Sequence, residues 1–438
     1  MEVEILDSCM VTPSSPATPK HGIWLSNLDL LVARSHTPTV YVCRPSSDPD
    51  PAFFAPDVLK AALAKALVPF YPLAGRLARD GDGRLEIHCT GDGALFVTAR
   101  SDAPLPDDLA GLVPSGELRR KLVPSADDLA GIILAMFQVT LFKCGGVYVG
   151  AAIHHTAADG LAALDFVNTW AAIARGGAAG GEPSPPRPWL DRTLLRARTP
   201  PVVRFDHAEY SRHRRGGRTA AKVPFESAIL PLSKAKIDAL KVGGGRKKKL
   251  STFTAVVAHV WRCACTARGV GATEDTRLYM TADARRRVAP PLPAGYLGNA
   301  IFRASAVAKA GDVVSEPLNA IADRISGATA RLDDEYIRSL VDYLEETASD
   351  VAGMRKGEWV MPETDLWVIS WQGLPIYEAD FGWGRPAFMS RACLQFSGLV
   401  YLVPGPDDDG RLDVVVAMEP KGLARFKKLF YEELITSC

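Results

Sequence analysis

The residues best suited to chemistry lie in the heptapeptide HHTAADG, residues 154–160. Within it, His155 and Asp159 are four positions apart, only small or polar residues separate them, and a glycine then allows the chain to turn. A strand-like run (147–153) precedes this loop and a helix-like run (160–174) follows it. An imidazole with a pKa of about 6.5 can take a proton from a hydroxyl or amine nucleophile. The pattern therefore predicts a general base, and acyl transfer is the chemistry that suits it.

The same spacing would also fit two ordinary loop histidines, and a second motif distinguishes the interpretations. It reads SWQGLPIYEADFGWGRP at 370–386. HxxxD together with DFGWG resembles the plant acyl-CoA-dependent acyltransferases of the BAHD family, and within it the hydroxycinnamoyl and related aromatic acyltransferases of grasses. Four further segments resemble the family in the same order: SHTPTVYV (35–42), VPFYPLAGRL (68–77), LSTFTAVVAHVWRC (250–263) and ADARRRVAPPLPAGYLGNAIF (282–302).

This resemblance implies a mixed α/β fold of two similar chloramphenicol-acetyltransferase-like domains, with an active-site channel between them. It also implies an acyl-CoA co-substrate, a small-molecule acceptor, no permanently bound cofactor and a monomer. The residues alone indicate only a mixture of strands and helices. Strand-like runs are TVYV (39–42), GRLEIHC (83–89), GALFVTA (93–99), ILAMFQVTLF (133–142), RLYMTAD (277–283) and RLDVVVAME (411–419).

Composition favours a small-molecule substrate. The 438 residues are 47% hydrophobic, enough for a large core, and 51 basic against 50 acidic residues give a net charge of +1. No global field therefore favours nucleic acid or an acidic membrane surface.

The eight cysteines form no paired CxxC, so we expect reduced thiols and no metal site. The start, MEVEILDSCM, lacks the regions of a signal peptide, and a cytoplasmic location is expected.

A glycine- and proline-rich stretch at 175–188 marks the main break in composition. We predict an N-terminal domain (1–175) that carries HxxxD, a crossover linker (176–222) and a C-terminal domain (223–438) that carries DFGWG. Helices are predicted after Asp57 and Ser251 as capping residues, and near the C-terminus, where Leu423, Phe426, Phe430 and Leu434 fall on one stripe.

The family match assigns His155 as the general base, whereas His154 is expected to be a neighbour without a catalytic share. Asp159 could orient the imidazole as in a triad. The resemblance instead implies a structural aspartate that points away from the cleft and pairs with Arg285, or failing that with Arg287. Asp380 and Gly382 of DFGWG are expected to build a tight, packed turn.

Trp371 is the predicted oxyanion donor through its indole N–H, although a core tryptophan is the alternative. Coenzyme A carries phosphates, which suit basic residues and a helix N-terminus. GGGRKKKLST (243–252) offers both, and the resemblance places coenzyme contacts there, at Lys249, Ser251 and Thr252.

By resemblance, Thr37, Thr39 and Tyr41 line the acceptor side, with strand packing as the alternative for Tyr41. Asn299, in YLGNAIF near the active site, is expected to be structural. Gly373 stands where shikimate and quinate transferases carry an arginine that clamps a carboxylate, so shikimate should be a poor acceptor.

Tyr377 and Glu378 stand where the shikimate and quinate transferases carry a histidine and an aspartate. We therefore predict transfer of a hydroxycinnamoyl or benzoyl group to an aromatic amine such as tryptamine or tyramine, with Glu378 attracting the ammonium. An O-acyltransferase acting on an alcohol and a non-catalytic acyl-CoA-binding relative are the alternatives. A serine hydrolase and a metallohydrolase are disfavoured, because the sequence contains no GxSxG, HExxH or histidine–cysteine cluster.

Overall fold

The structure, a computed structural model, describes residues 1–45, 53–106, 109–125, 132–179, 187–210, 224–242, 250–347 and 361–435. The chain divides into two compact units. Unit 1 comprises Met1–Arg196, Leu292–Ala300 and Leu374–Cys393, and unit 2 comprises Ala197–Pro291, Ile301–Gly373 and Leu394–Cys438. Among the described helices, none is long and apolar enough to cross a membrane.

Both units mix strands and helices. The first half of the chain forms β1 (Glu4–Val11), β2 (Gly22–Trp24), α1 (Asn27–Leu31), β3 (His36–Cys43), α2 (Pro56–Ala66), β4 (Arg76–Arg79), β5 (Leu85–His88), β6 (Ala94–Ser101), α3 (Gly116–Leu122), β7 (Ala135–Phe142), β8 (Val147–His154) and α4 (Gly160–Ala179). The second half forms β9 (Glu226–Leu232), α5 (Lys234–Val242), α6 (Thr252–Arg268), β10 (Asp275–Asp283), β11 (Ile301–Lys309), α7 (Ala310–Ser315), α8 (Leu318–Ala330), α9 (Asp334–Glu346), β12 (Leu366–Ser370), β13 (Phe388–Arg391), β14 (Leu399–Pro404), β15 (Leu412–Met418) and α10 (Pro420–Ile435). Short 3-10 helices lie at Tyr71–Ala74, Leu109–Gly111, Thr193–Leu195 and Ala208–Tyr210.

The main sheet of unit 1 has the strand order β1-β6-β7-β8-β3-β13, in which only β6 and β7 run parallel. The central strand β8 is buried along its whole length, as its unbroken hydrophobic run predicts. Phe137 of β7 packs against Phe166 and Trp170 of α4, which covers one face of the sheet. The end of α3 approaches the other face so closely that a Cβ at Gly150 would collide with the carbonyl oxygen of Leu122. A smaller sheet, β2-β5-β4, completes the unit.

The sheet of unit 2 has the order β11-β10-β12-β14-β15-β9, with β12 parallel to both of its neighbours. Helix α6 is buried along most of its length; its N-cap Ser251 accepts a hydrogen bond from the Thr254 N–H at 3.0 Å, and it ends at Gly269 with φ +64°. This confirms the predicted cap. The predicted C-terminal helix is also confirmed, since Leu423, Phe426 and Phe430 of α10 are buried in the same core.

Two details of the sequence prediction differ from the structure. Asp57 does not cap α2, because Pro56 occupies the first helical position and Ala55 is therefore the N-cap. The segment 374–393, which contains DFGWG and was placed in the domain 223–438, packs with unit 1, because β13 pairs with β3. Parts of the predicted linker, 180–186 and 211–222, lie outside the described residues.

Candidate active site

Backbone hydrogen bonds hold the HxxxD loop on both sides as β8 ends. The His154 N–H donates to the Leu134 carbonyl at 2.7 Å, and the His155 N–H donates to the Ser35 carbonyl at 3.0 Å. The Ala157 N–H donates back to the His154 carbonyl at 2.9 Å and closes a turn. His155 is thus fixed at the point where the chain leaves the sheet and approaches α4.

The imidazole of His155 has a defined partner in Asn299, whose Oδ1 lies 3.2 Å from Nδ1. The Asn299 amide can face only one way, because its Nδ2 lies 2.8 Å from the His155 carbonyl oxygen and 3.1 Å from a carboxylate oxygen of Asp29, and both oxygens are acceptors. Its Oδ1 must therefore accept a hydrogen from Nδ1 of His155. This network assigns the Nδ1–H tautomer, which leaves the lone pair of Nε2 to accept a proton.

Burial lowers the pKa of His155 below the usual value for histidine. Hydrogen bonds at the ring and the negative charge of Asp159 oppose this shift, whereas the positive charge of Arg391 adds to it. The imidazole is consequently neutral at pH 7 and available as a base. His154, in contrast, is buried against the edge of the His36 ring, and burial lowers its pKa to about 3.

Asp29, which contacts the Asn299 amide, forms a buried ion pair with Arg192. Asp29 Oδ1 is 2.9 Å from Nη1 of Arg192, and the two side chains are 0% and 1% exposed. Arg192 also donates through Nη2 to the Ala157 carbonyl at 2.7 Å, two residues after the base. Neither Asp29 nor Arg192 was predicted from the sequence, and Asn299 was expected to be structural, with no contact to the base. The one local signal is the capping box of Ser26 and Asp29, which predicts a helix start but no role in a site.

Asp159 is buried and caps α4. Its Oδ1 accepts the N–H of Ala162 at 3.1 Å, and its Oδ2 accepts the N–H of Ala300 at 3.0 Å. Arg285 belongs to unit 2, where Nη1 lies 3.3 Å from Oδ1 of Asp283. Asp159 belongs to unit 1, and its pairing with Arg285 stays a prediction.

The DFGWG segment forms a tight turn around one carboxylate. Asp380 Oδ1 accepts the N–H groups of Gly382 and Gly384, each at 2.9 Å, while Oδ2 lies 3.3 Å from Nη1 of Arg175. Gly382 has φ +109°, a conformation that favours glycine, and a Cβ there would approach the Arg175 Cα to 3.3 Å. The aromatic residues of the turn pack against Trp170 of α4 and Phe54.

Thr37, Thr39 and Tyr41 alternate along β3, so all three point to one face of the sheet. Their partners in register are Ile153, Ala151 and Val149 of β8. Ala151 in turn pairs with Phe137, so this is the face that α4 covers. Both threonines are partly exposed, whereas Tyr41 is buried and burial raises its pKa above the usual range.

The segment after β12 contains the remaining predicted acceptor residues. Gly373 has φ +77°, and a Cβ built on it would meet no atom within 4 Å, so this glycine meets a backbone requirement and leaves open space. Tyr377 is buried and Glu378 is exposed. Gly373 belongs to unit 2 and the other two belong to unit 1.

The predicted donor-side residues lie in unit 2. Ser251 and Thr252 lie at the N-terminus of α6, whereas Lys249 lies outside the described residues. Their contact with coenzyme A stays a prediction. Trp371 follows β12, is buried, and packs edge-to-face on Tyr401 with ring centroids 5.2 Å apart. Its role as an oxyanion donor stays a prediction.

Comparison with known proteins gives matches along nearly the whole chain. Residues 1–433 match the family described as the Transferase family. Putrescine hydroxycinnamoyltransferase 1 of Oryza sativa subsp. japonica is 71% identical over 99% of this chain and 100% of its own. Shikimate O-hydroxycinnamoyltransferase of Nicotiana tabacum is 42% identical over 99% of this chain and 100% of its own.

The crystal structure of vinorine synthase is similar in fold, with a TM-score of 0.75 at 24% identity over 97% of this chain and 96% of that one. These likenesses extend over both units and confirm the mixed α/β fold that the family resemblance implied. The chain belongs to the Transferase family, the BAHD acyltransferases, and is an enzyme that transfers acyl groups.

Proposed function

We propose that the protein transfers a hydroxycinnamoyl group from coenzyme A to an amine, forming an amide and free coenzyme A. The observation that carries the mechanism is the contact between Asn299 Oδ1 and His155 Nδ1, because it leaves Nε2 of His155 as the proton acceptor. The amine nitrogen attacks the thioester carbonyl, Nε2 takes the proton that the nitrogen loses, and the C–S bond breaks as the tetrahedral intermediate collapses. The thiolate leaves and receives that proton. Trp371 is assigned as the donor to the oxyanion.

The acceptor we propose first is putrescine, a diamine with an alkyl chain. Support comes from the rice putrescine hydroxycinnamoyltransferase, whose sequence is 71% identical from end to end. Gly373 adds support, because no side chain is present there to form a charge-assisted contact with a carboxylate. Exposed Glu378 is assigned to the distal ammonium of the diamine.

An aromatic amine, tryptamine or tyramine, is the second candidate. It is favoured by Tyr377, a large buried ring one residue from Glu378, and by the open space at Gly373. O-Acylation of shikimate is the third. The tobacco shikimate transferase is 42% identical, but the carboxylate-binding arginine expected of such enzymes is replaced here by Gly373.

The test is an acceptor panel with coumaroyl-CoA or benzoyl-CoA as donor, and putrescine, tryptamine, tyramine or shikimate as acceptor. Thiol release and product mass are followed together. We expect the highest kcat/KM with coumaroyl-CoA and putrescine. Higher kcat/KM with an aromatic amine would select the second candidate, and efficient transfer to shikimate without transfer to amines would contradict the proposal.

Glu378→Gln tests the ammonium contact. We expect the KM for putrescine to rise about tenfold, as loss of a charge-assisted hydrogen bond implies, with little change in kcat. Glu363→Gln, which changes another exposed glutamate, is the matched control. An equal rise in KM in both variants would indicate a general charge effect and refute the assignment.

A further inference from the structure

We infer that Asp29, held by Arg192, is a positioning residue that sets the tautomer of His155 through Asn299; this inference rests on the proposed role of His155 as the base. Asp29 does not touch the imidazole. The connection consists of one ion pair and two hydrogen-bonded contacts, and all of its members lie in unit 1.

The two carboxylate oxygens of Asp29 have different partners. Oδ2 accepts the N–H and the hydroxyl of Ser26 at 2.9 and 2.8 Å and completes the capping box of α1. Oδ1 points elsewhere: it accepts the Asn299 backbone N–H at 2.7 Å and the Asn299 side-chain Nδ2 at 3.1 Å, and it is 2.9 Å from Nη1 of Arg192. Helix capping therefore accounts for one oxygen only.

The ion pair with Arg192 keeps the buried carboxylate of Asp29 ionised, so its Oδ1 remains a hydrogen-bond acceptor. Asp29 and Arg192 are almost fully buried, and a buried carboxylate without a countercharge would be strongly destabilising. Arg192 also donates to the carbonyls of Thr156 at 3.4 Å and Ala157 at 2.7 Å, directly after the base. One arginine thus holds both the carboxylate and the backbone of the HxxxD loop.

The orientation of one amide connects this pair to the chemistry. While Oδ1 of Asp29 accepts from Nδ2 of Asn299, Oδ1 of Asn299 must face His155. If that acceptor were lost, the His155 carbonyl oxygen, 2.8 Å from Nδ2, would be the main acceptor left, and the amide would be held in this orientation less firmly. In the molecules in which the amide rotates, it presents Nδ2 to the imidazole. Nδ1 would then have to accept, the ring proton would move to Nε2, and Nε2 could no longer take a proton from the nucleophile.

The first measurement uses the unmodified enzyme. Nitrogen-15 NMR of the histidine rings distinguishes the two tautomers, and loss of one signal set in His155→Gln assigns His155. We expect Nδ1–H. A ring protonated at Nε2 in the neutral enzyme would overturn the inference, and this readout needs neither a donor nor an acceptor.

The second measurement uses Asp29→Leu/Arg192→Met. Replacing both charges by apolar groups of similar size avoids an unpaired buried charge and can leave stability unchanged. The more conservative Asp29→Asn serves if the double variant does not fold. We expect kcat to fall about 10–100-fold with KM changed less than threefold, since misplaced groups away from the reacting atoms cause losses of this size. The Nε2–H tautomer of His155 should appear in parallel.

Arg268→Met/Glu419→Leu is the matched control. It removes another ion pair, 3.2 Å apart in unit 2, whose side chains are 6% and 19% exposed and whose arginine also donates to backbone carbonyls. The control should keep kcat and the tautomer. Folded Asp29 variants with unchanged kcat and Nδ1–H would show that Asp29 is only structural. If the unmodified enzyme acylates no amine, the proposed function fails, while the NMR comparison still decides the role of Asp29.

Discussion

Replacing Asp159 separates the structural interpretation of HxxxD from the triad interpretation. Each oxygen of this carboxylate accepts one backbone N–H, from Ala162 and from Ala300, at 3.1 and 3.0 Å. A hydrogen bond to a charged group contributes about 1.5–3 kcal/mol, so Asp159→Ala should lower the free energy of unfolding by about 3–6 kcal/mol. That is a large part of the 5–15 kcal/mol typical of a folded protein.

Asp159→Asn retains one oxygen and places an NH2 group against the other N–H. It should lose about half as much, about 1.5–3 kcal/mol. The negative charge of Asp159 raises the pKa of His155, so removing that charge lowers this pKa further. The imidazole therefore stays neutral at pH 7.5 in the variant. If the aspartate is structural, the folded Asn variant should therefore keep kcat within about tenfold. In a triad, the same substitution reduces kcat about 10⁴-fold while the geometry stays intact.

The assay is urea unfolding followed by tryptophan fluorescence, together with kcat for amide formation on the same preparations. Asp333→Ala and Asp333→Asn are matched controls, because Asp333 caps α9 and accepts the Tyr336 N–H at 2.9 Å. Asp333→Ala should lose about 0.5–2 kcal/mol, Asp333→Asn should lose little stability because asparagine is an equally good N-cap, and neither should lose activity. An Asp159→Asn variant with unchanged stability and a thousandfold loss of kcat would refute the structural interpretation.

The remaining predictions concern protons. His155→Ala should reduce kcat about 10²–10⁴-fold without a large change in thermal unfolding, and full turnover would exclude it as the base. For putrescine, kcat/KM should rise about tenfold per pH unit from pH 7 to 9. Only the neutral amine attacks, and alkyl ammonium groups have a pKa of about 10.4. A plateau above pH 7 would instead indicate an alcohol acceptor. Burial lowers the pKa of His154 to about 3 and those of His207 and His259 to about 4, so the unfolded chain binds more protons below pH 6.5. Urea unfolding between pH 7 and 4.5 should show the free energy of unfolding falling as the pH drops, by up to about 1.4 kcal/mol per pH unit for each histidine. A free energy of unfolding independent of pH would contradict these pKa shifts.

Local patterns predicted the elements because their causes are local. The unbroken apolar run before His155 became the buried strand β8, and the stripe Leu423, Phe426 and Phe430 became the buried side of α10. Ser251 caps α6 as expected. The error at Asp57 has an equally local cause, since a proline at the first helical position moves the cap one residue back.

The site was predictable only where it coincides with a motif. His155 is identified by HxxxD, but the partners that determine its tautomer stand at 29, 192 and 299. No periodicity relates positions that are separated by tens to hundreds of residues. Asp29 and Arg192 have ordinary neighbours in sequence, and their burial becomes visible only after the sheet and the loops have come together.

The four-residue spacing of HxxxD has an explanation in the segment 298–300. Asp159 donates its N–H to the Gly298 carbonyl at 3.4 Å and accepts the Ala300 N–H at 3.0 Å, while His155 meets Asn299 between them. Both motif residues thus contact one tripeptide, and Asp159 fixes the backbone on either side of the amide that orients the base. A structural aspartate therefore acts on catalysis through Asn299. Among substitutions of Asp159 that lower the free energy of unfolding by different amounts, kcat should accordingly fall in step with stability. If Asp159 instead took part directly in proton transfer, kcat would fall without a matching loss of stability.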